Sequence, residues 1–310
     1  MSIDRVATSA QSQYMLAQLQ QASSALDKTQ NQVASGKVSN TYAGIGDKTA
    51  VLESARSAAK RADSYQATTQ LALNQANLQD TQLSAMSDLA AQLRDTVTKA
   101  LANNDGSTLM TQAQSIFDQA TQILNSKDAN GNYIYGGDND NTPPVKIANL
   151  SDLSSLASAS DAFANGSLKK KVQVGDGVTV QIGQLASDVG GDLMSALKSI
   201  VDYNGGANGP FGTPLTQPQS GFLSTAIQSA TTAANTINNA AAANGNVYNQ
   251  LQAATDQQQT LSTLYKGFVS SLEDVDMGKA ITQLNQNQVA LQAALKVTSS
   301  LSQISLLNYL

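Results

Sequence analysis

Residues 280–310 read AITQLNQNQVALQAALKVTSSLSQISLLNYL, and their pattern predicts a long amphipathic α-helix. The apolar residues recur at spacings of three, four and seven, with Gln288 in the remaining position of one stripe: Ile281, Leu284, Leu291 and Leu295. A second register follows at Val297, Leu301 and Ile304. Most of the residues between these positions are Gln, Asn, Ser, Thr or Ala, and Lys296 carries the only charge. Because such a helix is marginal alone, we expect its stripe to pack in a coiled coil or helical assembly.

The amino-terminal region predicts a second helix with a similar, weaker stripe. Small and polar residues dilute this seam, which consists of Leu16, Leu19, Ser23, Leu26, Gln30 and Val33. A stripe this weak is not expected to fold by itself, so it needs a partner surface. The two terminal helices are therefore expected to pack against each other and against neighbouring molecules.

The residues around the carboxyl-terminal helix resemble the carboxyl-terminal signature of bacterial flagellins. The acidic segment SLEDVDM at 271–277 precedes the helix, and LLNYL at 306–310 ends it. Flagellin-like proteins self-assemble, so the resemblance adds to the stripe pattern in placing the assembly interface on the terminal helices. The expected interface residues are Leu16, Leu19, Leu26, Val33, Ile281, Leu284, Leu291, Leu295, Leu301, Leu306, Leu307 and Leu310.

Composition excludes several classes of function. The chain has 310 residues, a formal net charge of -5, and neither Cys nor His. These absences remove disulfides, Cys-His and Ser-His-Asp catalysis and the usual zinc sites, so we expect no enzyme, no metal and no cofactor. A nucleic-acid partner would require a clustered basic surface, which the negative net charge argues against. The single basic run, Lys169, Lys170 and Lys171, fits a solvated strand edge, so we expect no nucleic-acid partner.

The sequence shows no apolar run of membrane-spanning length and no cleavable secretory signal at its start. The flagellin resemblance implies export without cleavage through the flagellar type III apparatus to an extracellular flagellum. It also implies three kinds of partner: copies of the chain, hook-side and filament-side flagellar proteins, and an export chaperone on the carboxyl-terminal helix.

The expected fold is mainly α, with long antiparallel helical rods, coiled-coil terminal helices and a small β-containing insert. We expect a terminal inner-layer helix and turn at 1–46, a rod at 47–137 and an outer insert at 138–219. A second rod should follow at 220–276 and a terminal inner-layer helix at 277–310. Prolines and a change in composition mark the insert, which we expect to have its own core.

Local signals predict where the elements begin and end. Gly36 should end the first helix, Asp47 should cap a rod helix that continues to Ala102, and Ser107 should cap the next. A short strand is expected at 133–135, and a hairpin around the glycines at 175–177. The segment 244–246 could kink the second rod.

Two groups of polar side chains could be taken for functional sites, and we reject both interpretations. Asp128, Asn130 and Asn132 imitate the opening of an EF-hand, but Tyr133 stands where the loop needs Gly. The acidic residues at 273–276 could be imagined as an acid and base pair, yet a helix start explains them, since negative charge offsets the helix dipole there.

A second resemblance refines the expected function. YIYGGD at 133–138, followed by NTPPV at 141–145, is similar to the hook-associated proteins that join hook to filament. The sequence therefore favours a hook–filament junction subunit, with a filament flagellin as the alternative, because the carboxyl end is very flagellin-like. An extracellular binding protein that uses insert aromatics, Tyr133, Tyr135, Phe163 and Tyr203, is a third and weaker alternative.

Overall fold

A computed structural model of the chain describes residues 3–307, with side chains from 10 to 300. These residues are mainly helical: α1 (Ile3–Ser35), α2 (Tyr42–Ile45), α3 (Thr49–Ala102), α4 (Leu109–Leu124), α5 (Asp152–Ser155), α6 (Ala186–Gly205), α7 (Gln217–Glu273) and α8 (Met277–Leu307). Two strands, β1 (Lys170–Gly175) and β2 (Val178–Ile182), form an antiparallel hairpin. The expected fold class, mainly α with a small β part, is confirmed.

The chain divides into two compact units. A terminal unit contains residues 1–61 and 260–310, and a central unit contains residues 62–259. The first and last segments of the sequence therefore form one unit, as their two weak stripes suggested.

In the terminal unit, α1 and α8 pack side by side in opposite directions. Near the end of α1, the Val275 N–H donates to the Gly36 carbonyl at 2.9 Å. At a position earlier in α1 and later in the carboxyl-terminal segment, the Asn287 amide of α8 donates to the Ala25 carbonyl of α1 at 3.1 Å. The pairing is therefore antiparallel.

Gly36 ends α1 as expected. Its φ of +71° lies in the left-handed region that glycine adopts without a Cβ clash, and its N–H closes the last turn on the Gln32 carbonyl at 2.9 Å.

Three local expectations are wrong in detail. Asp47 lies in a short 3-10 turn and does not cap α3, which begins at Thr49, whose hydroxyl donates to the Gly46 carbonyl at 2.7 Å. α4 follows Thr108, while the Ser107 N–H donates to the Asp105 side chain. The segment 133–135 makes a turn with one isolated bridge instead of a strand. In each case hydrogen bonds of a nearby turn engage backbone N–H groups that a helix cap or a strand would otherwise bind.

In the central unit, α3 and α7 run antiparallel. Hydrogen bonds connect them from one end of the contact to the other, pairing Gln66 with Gln259, Ala76 with Asn244, and Ser87 with Asn238. α7 continues through 244–246 without a break. The Asn244 side chain is 2% exposed and donates to the Ala76 carbonyl at 2.8 Å, so it serves the packing of the two helices.

The insert shares its core with these helices, so the expectation of a separate insert core is wrong. One apolar cluster combines rod and insert side chains; its fully buried members include Leu83, Leu93, Phe117, Leu153, Leu193, Leu197 and Ile237. A smaller cluster packs the hairpin residues Val174 and Val180 on Leu73 and Leu251. Sequence composition changes at the insert boundary, but side-chain packing does not follow that boundary.

The hairpin confirms the expected turn at 175–177. Lys170 pairs with Ile182 at the open end and Gly175 pairs with Val178 at the turn, where the register shifts. The buried Gln258 side chain of α7 donates to the Val174 carbonyl at 3.0 Å, which attaches β1 to the helix.

A substitution in the insert should therefore destabilise the rod helices. Leu193→Ala on α6 removes a fully buried side chain and should lower the free energy of unfolding of the central unit by about 2–5 kcal/mol. Hydrogen exchange measured by mass spectrometry should show faster exchange in α4 and in residues 83–97 as well as in α6. Leu168→Ala, at a residue that is 65% exposed, is the control. Faster exchange confined to the insert would contradict the shared core.

Candidate assembly interface

The seam between α1 and α8 is built from residues at alternating spacings of three and four. On α8 the buried or half-buried positions are Ala280, Leu284, Asn287, Leu291, Ala294 and Thr298. On α1 the buried or half-buried positions at this spacing are Met15, Leu19, Ala22, Leu26, Thr29 and Val33, and Ser23, Ala25 and Gln32 beside them are also half-buried. This is the heptad spacing of a coiled coil, in which side chains of one helix fill spaces on the other.

The structure divides the expected interface residues into two groups. Leu19, Leu26, Val33, Leu284 and Leu291 lie in the seam. Three others are exposed, by 56%, 46% and 50% respectively: Leu16, Ile281 and Leu295. The Leu301, Leu306 and Leu307 side chains and the whole of Leu310 lie outside the described residues.

The stripe read from the sequence is shifted by one residue along part of α8. The sequence placed Gln288 and Leu295 beside Leu284 and Leu291, whereas the structure uses Asn287 and Ala294. Hydrophobicity favours Leu over Ala, but small side chains let two helices approach closely. Apart from Met15, the seam residues that the sequence did not predict are small or polar, and their only signal was the regular spacing.

One polar contact lies inside the seam. The Asn287 amide donates to the Thr29 hydroxyl at 3.3 Å as well as to the Ala25 carbonyl, and Thr29 is 4% exposed. The Thr29 hydroxyl lies 2.9 Å from the Leu26 carbonyl, to which it donates. Because a half-buried amide is stabilised by such partners, this contact favours the observed alignment of the two helices.

A cluster of charges holds the ends of three helices together in the terminal unit. Glu273, the last residue of α7, accepts from Lys37 Nζ at 2.5 Å and from Arg56 Nη2 at 2.6 Å. Its side chain is only 8% exposed. Lys37 follows α1 and Arg56 lies on α3, so one buried carboxylate connects these elements. Arg56 Nη1 also donates to Glu53 at 2.8 Å.

Backbone hydrogen bonds reinforce the same junction. The Val38 N–H donates to the Glu273 carbonyl at 2.7 Å, beside the Val275 to Gly36 bond. Hydrogen bonds from Lys37 and Arg56, and to a smaller extent the charges of these two residues, hold the pKa of the Glu273 carboxyl below its ordinary value. We call Lys37, Arg56 and Glu273, with these backbone bonds, the junction cluster.

The explanation of the acidic segment as a helix start is correct only for Asp276. Asp276 precedes α8, and its carboxylate accepts the Lys279 backbone N–H at 3.1 Å, which lowers its pKa. Glu273 instead ends α7, where the helix dipole disfavours a negative charge. Its two cationic partners offset that effect, and they lie far away in the sequence, so no local pattern could reveal them.

The other candidate groups have structural roles. Asp128 accepts the N–H groups of Asn130 and Asn132, which closes a turn. Among the described residues, no group of three or more His, Cys, Asp or Glu side chains could hold a metal ion. The search of the same residues for a helix long and apolar enough to cross a membrane also found none.

The insert aromatics mostly pack inside the central unit. Tyr135 is fully buried. Tyr203 stacks with Phe211 and Phe222, with ring centroids 5.4 and 4.0 Å away. Phe163 packs against the main core of the central unit. These positions favour a packing role over a binding site.

Comparisons with known proteins confirm the flagellin resemblance. Residues 227–310 match the family model of the bacterial flagellin C-terminal helical region. A comparison with curated protein sequences found no significant match.

Several solved structures are similar to this chain. A Vibrio parahaemolyticus protein described as a flagellar hook-associated protein is 16% identical, with a TM-score of 0.59 over 76% of this chain and 99% of that one. Bacillus cereus FlgL is 13% identical, with a TM-score of 0.48 over 73% and 98%. Flagellar hook-associated protein 3 of Legionella pneumophila is 15% identical, with a TM-score of 0.38 over 82% and 99%. The similarity to the Vibrio protein shows that the two chains have a similar fold.

The junction cluster makes the stability of the terminal unit depend on pH. Because the folded pKa of Glu273 is lowered, its contribution is complete above the unfolded value of about 4.3 and is lost as pH falls through the folded value. Glu273→Gln should remove much of this acid dependence and lower stability at neutral pH. Hydrogen exchange of α1 and α8 at pH 7 and at pH 3 would measure both effects.

The control for this test is the other glutamate of the chain. Glu53 is 45% exposed and makes one ion pair, so Glu53→Gln should retain most of the acid dependence. Equal behaviour of the two variants would show that the buried carboxylate is not the source.

Proposed function

We propose that this chain is a structural subunit of the bacterial flagellum that joins hook to filament by helical self-assembly. The observation that carries this proposal is the match of residues 227–310 to the flagellin C-terminal helical region, which includes all of α8. In the terminal unit, this helix pairs with α1 and still exposes large apolar side chains.

The exposed apolar residues of the terminal helices supply the contacts for assembly in this proposal. Leu16 on α1 and Ile281 and Leu295 on α8 remain about half exposed after the two helices have paired. Complete burial of a leucine or isoleucine is worth about 1.5–3 kcal/mol, so covering the exposed half of each of these side chains between copies contributes about half of that. Charged side chains are few on both helices, with Asp27 and Lys28 on α1 and Lys279 and Lys296 on α8 among the described side chains, so most of such a contact buries no charge.

Two features favour the junction over the filament itself. The NTPPV segment at 141–145 follows the hook-associated pattern. The fold also resembles that of the Vibrio protein described as hook-associated. The specific observation for the alternative, a filament flagellin, is the family match at the carboxyl end.

The proposal includes export and partners. The chain would leave the cell uncleaved through the flagellar type III apparatus and function outside it. An export chaperone would bind α8 before assembly, since Met277, Ile281, Val289, Leu295 and Val297 present exposed apolar surface on that helix. After export, copies of the chain and flagellar proteins on the hook and filament sides would replace the chaperone.

Two substitutions separate pairing within the chain from assembly between chains. Leu291→Asp introduces a charge into the seam and should disrupt the α1 and α8 pair, seen as faster hydrogen exchange in both helices. Leu295→Asp lies at an exposed position and should leave that pair folded. It should nevertheless reduce incorporation into isolated flagella at least tenfold, measured by quantitative immunoblot against total exported protein.

The control is Gln283→Asp, at an exposed polar position of α8 on the opposite side of the seam from Ile281 and Leu295. This variant should fold and be incorporated in near-normal amounts. Normal incorporation of Leu295→Asp would argue against the exposed stripe as the assembly surface.

A further inference from the structure

Five Asn-Gly pairs occur in the chain, and the structure makes one of them chemically different from the others. The pairs begin at Asn130, Asn165, Asn204, Asn208 and Asn244. An asparagine before glycine can cyclise, because glycine has no Cβ to shield its backbone nitrogen and its backbone adapts to the ring. The reaction also requires a side-chain amide that is free to turn and a main chain that is free to follow. The folded surroundings of each pair therefore decide which one reacts.

Two of the pairs lie within long helices. Asn204 is the last residue but one of α6, and Asn244 lies inside α7. An α-helix holds the following glycine nitrogen in an intrahelical hydrogen bond, so the ring could close only if the helix opened. The side chains are also engaged. The Asn204 Oδ1 accepts the Phe211 N–H at 3.0 Å, and the buried Asn244 amide donates to the Ala76 carbonyl.

Hydrogen bonds hold the pair that begins at Asn165. Its amide nitrogen donates to the Ser187 hydroxyl at 3.1 Å and to the Gly166 carbonyl at 2.8 Å, and its oxygen accepts the Ser187 N–H at 3.1 Å. The Gly166 nitrogen, which would have to attack, donates its hydrogen to the Gly136 carbonyl at 2.8 Å. Both reacting groups of this pair are therefore occupied.

Main-chain packing holds the pair that begins at Asn208. The Asn208 carbonyl accepts the amide of the buried Gln219 at 2.8 Å, and Gly209 is half-buried. A Cβ built on Gly209 would lie 2.0 Å from the Asn204 carbonyl oxygen, so another stretch of main chain lies directly against it. Ring closure rotates the main chain, and this neighbour leaves little room for the rotation.

Asn130 lacks all of these restraints. Asn130 and Gly131 are both exposed, in the turn after α4, and apart from the adjoining residues nothing lies within 4 Å of a Cβ built on Gly131. Among the residues that the structure describes, Asn130 uses only its backbone in hydrogen bonds, with its N–H on Asp128 Oδ1 at 2.8 Å. The Gly131 N–H donates to the Asp128 carbonyl at 3.0 Å, a turn bond that opens without disturbing a helix or the core.

We propose that Asn130 is a site of spontaneous deamidation in the folded protein. The Gly131 nitrogen loses its proton to water and forms a bond to Asn130 Cγ, and the Cγ–Nδ2 bond breaks to release ammonia. Water then opens the succinimide ring at either carbonyl, which leaves aspartate or isoaspartate at position 130. The reaction consumes only water and exchanges no electrons. It is a property of the folded chain itself and does not depend on the proposed function.

The product changes the turn in which it forms. Asp128 Oδ1 accepts the N–H groups of residues 130 and 132 at 2.8 and 3.0 Å, and the Asp128 N–H donates to the Asn132 carbonyl at 2.8 Å. A new carboxylate at position 130 repels the carboxylate that organises these bonds. Isoaspartate also inserts a methylene group into the main chain and lengthens the turn. Deamidated molecules should therefore have a looser turn after α4.

Peptide mapping of the full chain by mass spectrometry tests the proposal. During incubation in mildly alkaline buffer, residue 130 should show the mass change of –NH2 to –OH at least tenfold faster than the asparagines of the other four pairs, with fragment spectra locating each change. The same chain in concentrated urea is the matched control. Because every pair is exposed in the unfolded chain, the five rates should become similar there.

A variant provides the second arm. Asn130→Gln lengthens the side chain by one methylene group, which disfavours ring closure, so it should lower conversion at position 130 at least tenfold and leave the other four pairs unchanged. Hydrogen exchange in residues 127–134 should become faster as the wild-type chain ages, and this acceleration should be lost in the variant.

Two results would overturn the inference. One is conversion at position 130 of the folded chain that is no faster than at the other four pairs. The other is a preference for position 130 that persists unchanged in urea, because the folded surroundings would then not be its cause. Either result leaves the proposed flagellar function standing.

Discussion

The ion pairs of Glu273 are the interaction on which the terminal unit depends. A carboxylate that is 8% exposed is stable only with charged or hydrogen-bonding partners, and Lys37 and Arg56 supply them. These three residues come from the end of α7, the turn after α1 and the start of α3. The cluster therefore positions α1 beside α8 and allows a weak seam to form in one alignment.

The weakness of that seam has a functional consequence. Ala280, Ala294 and Ala22 bury little apolar area, and Leu16, Ile281 and Leu295 remain exposed when α1 and α8 have paired. A pair of helices with these properties gains stability from further neighbours. Leu71 and Leu78 on α3 are exposed as well, so the terminal and central units each present apolar side chains to solvent.

Sequence alone predicted much of what local chemistry determines, although it misplaced the caps of α3 and α4 and predicted a strand at 133–135 where there is a turn. The end of α1 at Gly36, the length of α3, the hairpin around 175–177 and the pairing of the two ends followed from φ preferences and helical spacing. The partners of Glu273 could not be predicted, because they lie more than 200 residues away. The position of Ala294 in place of Leu295 and the shared core of the insert were also missed. Each of these depends on packing between distant segments.

The most direct test of this account is the position of the chain on intact flagella. Immunogold labelling of isolated hook, junction and filament assemblies would locate it by electron microscopy. The account predicts a band of label at the hook end of the filament. Label along the whole filament would support a filament flagellin instead, and the absence of label from flagella would contradict a structural role in this organelle.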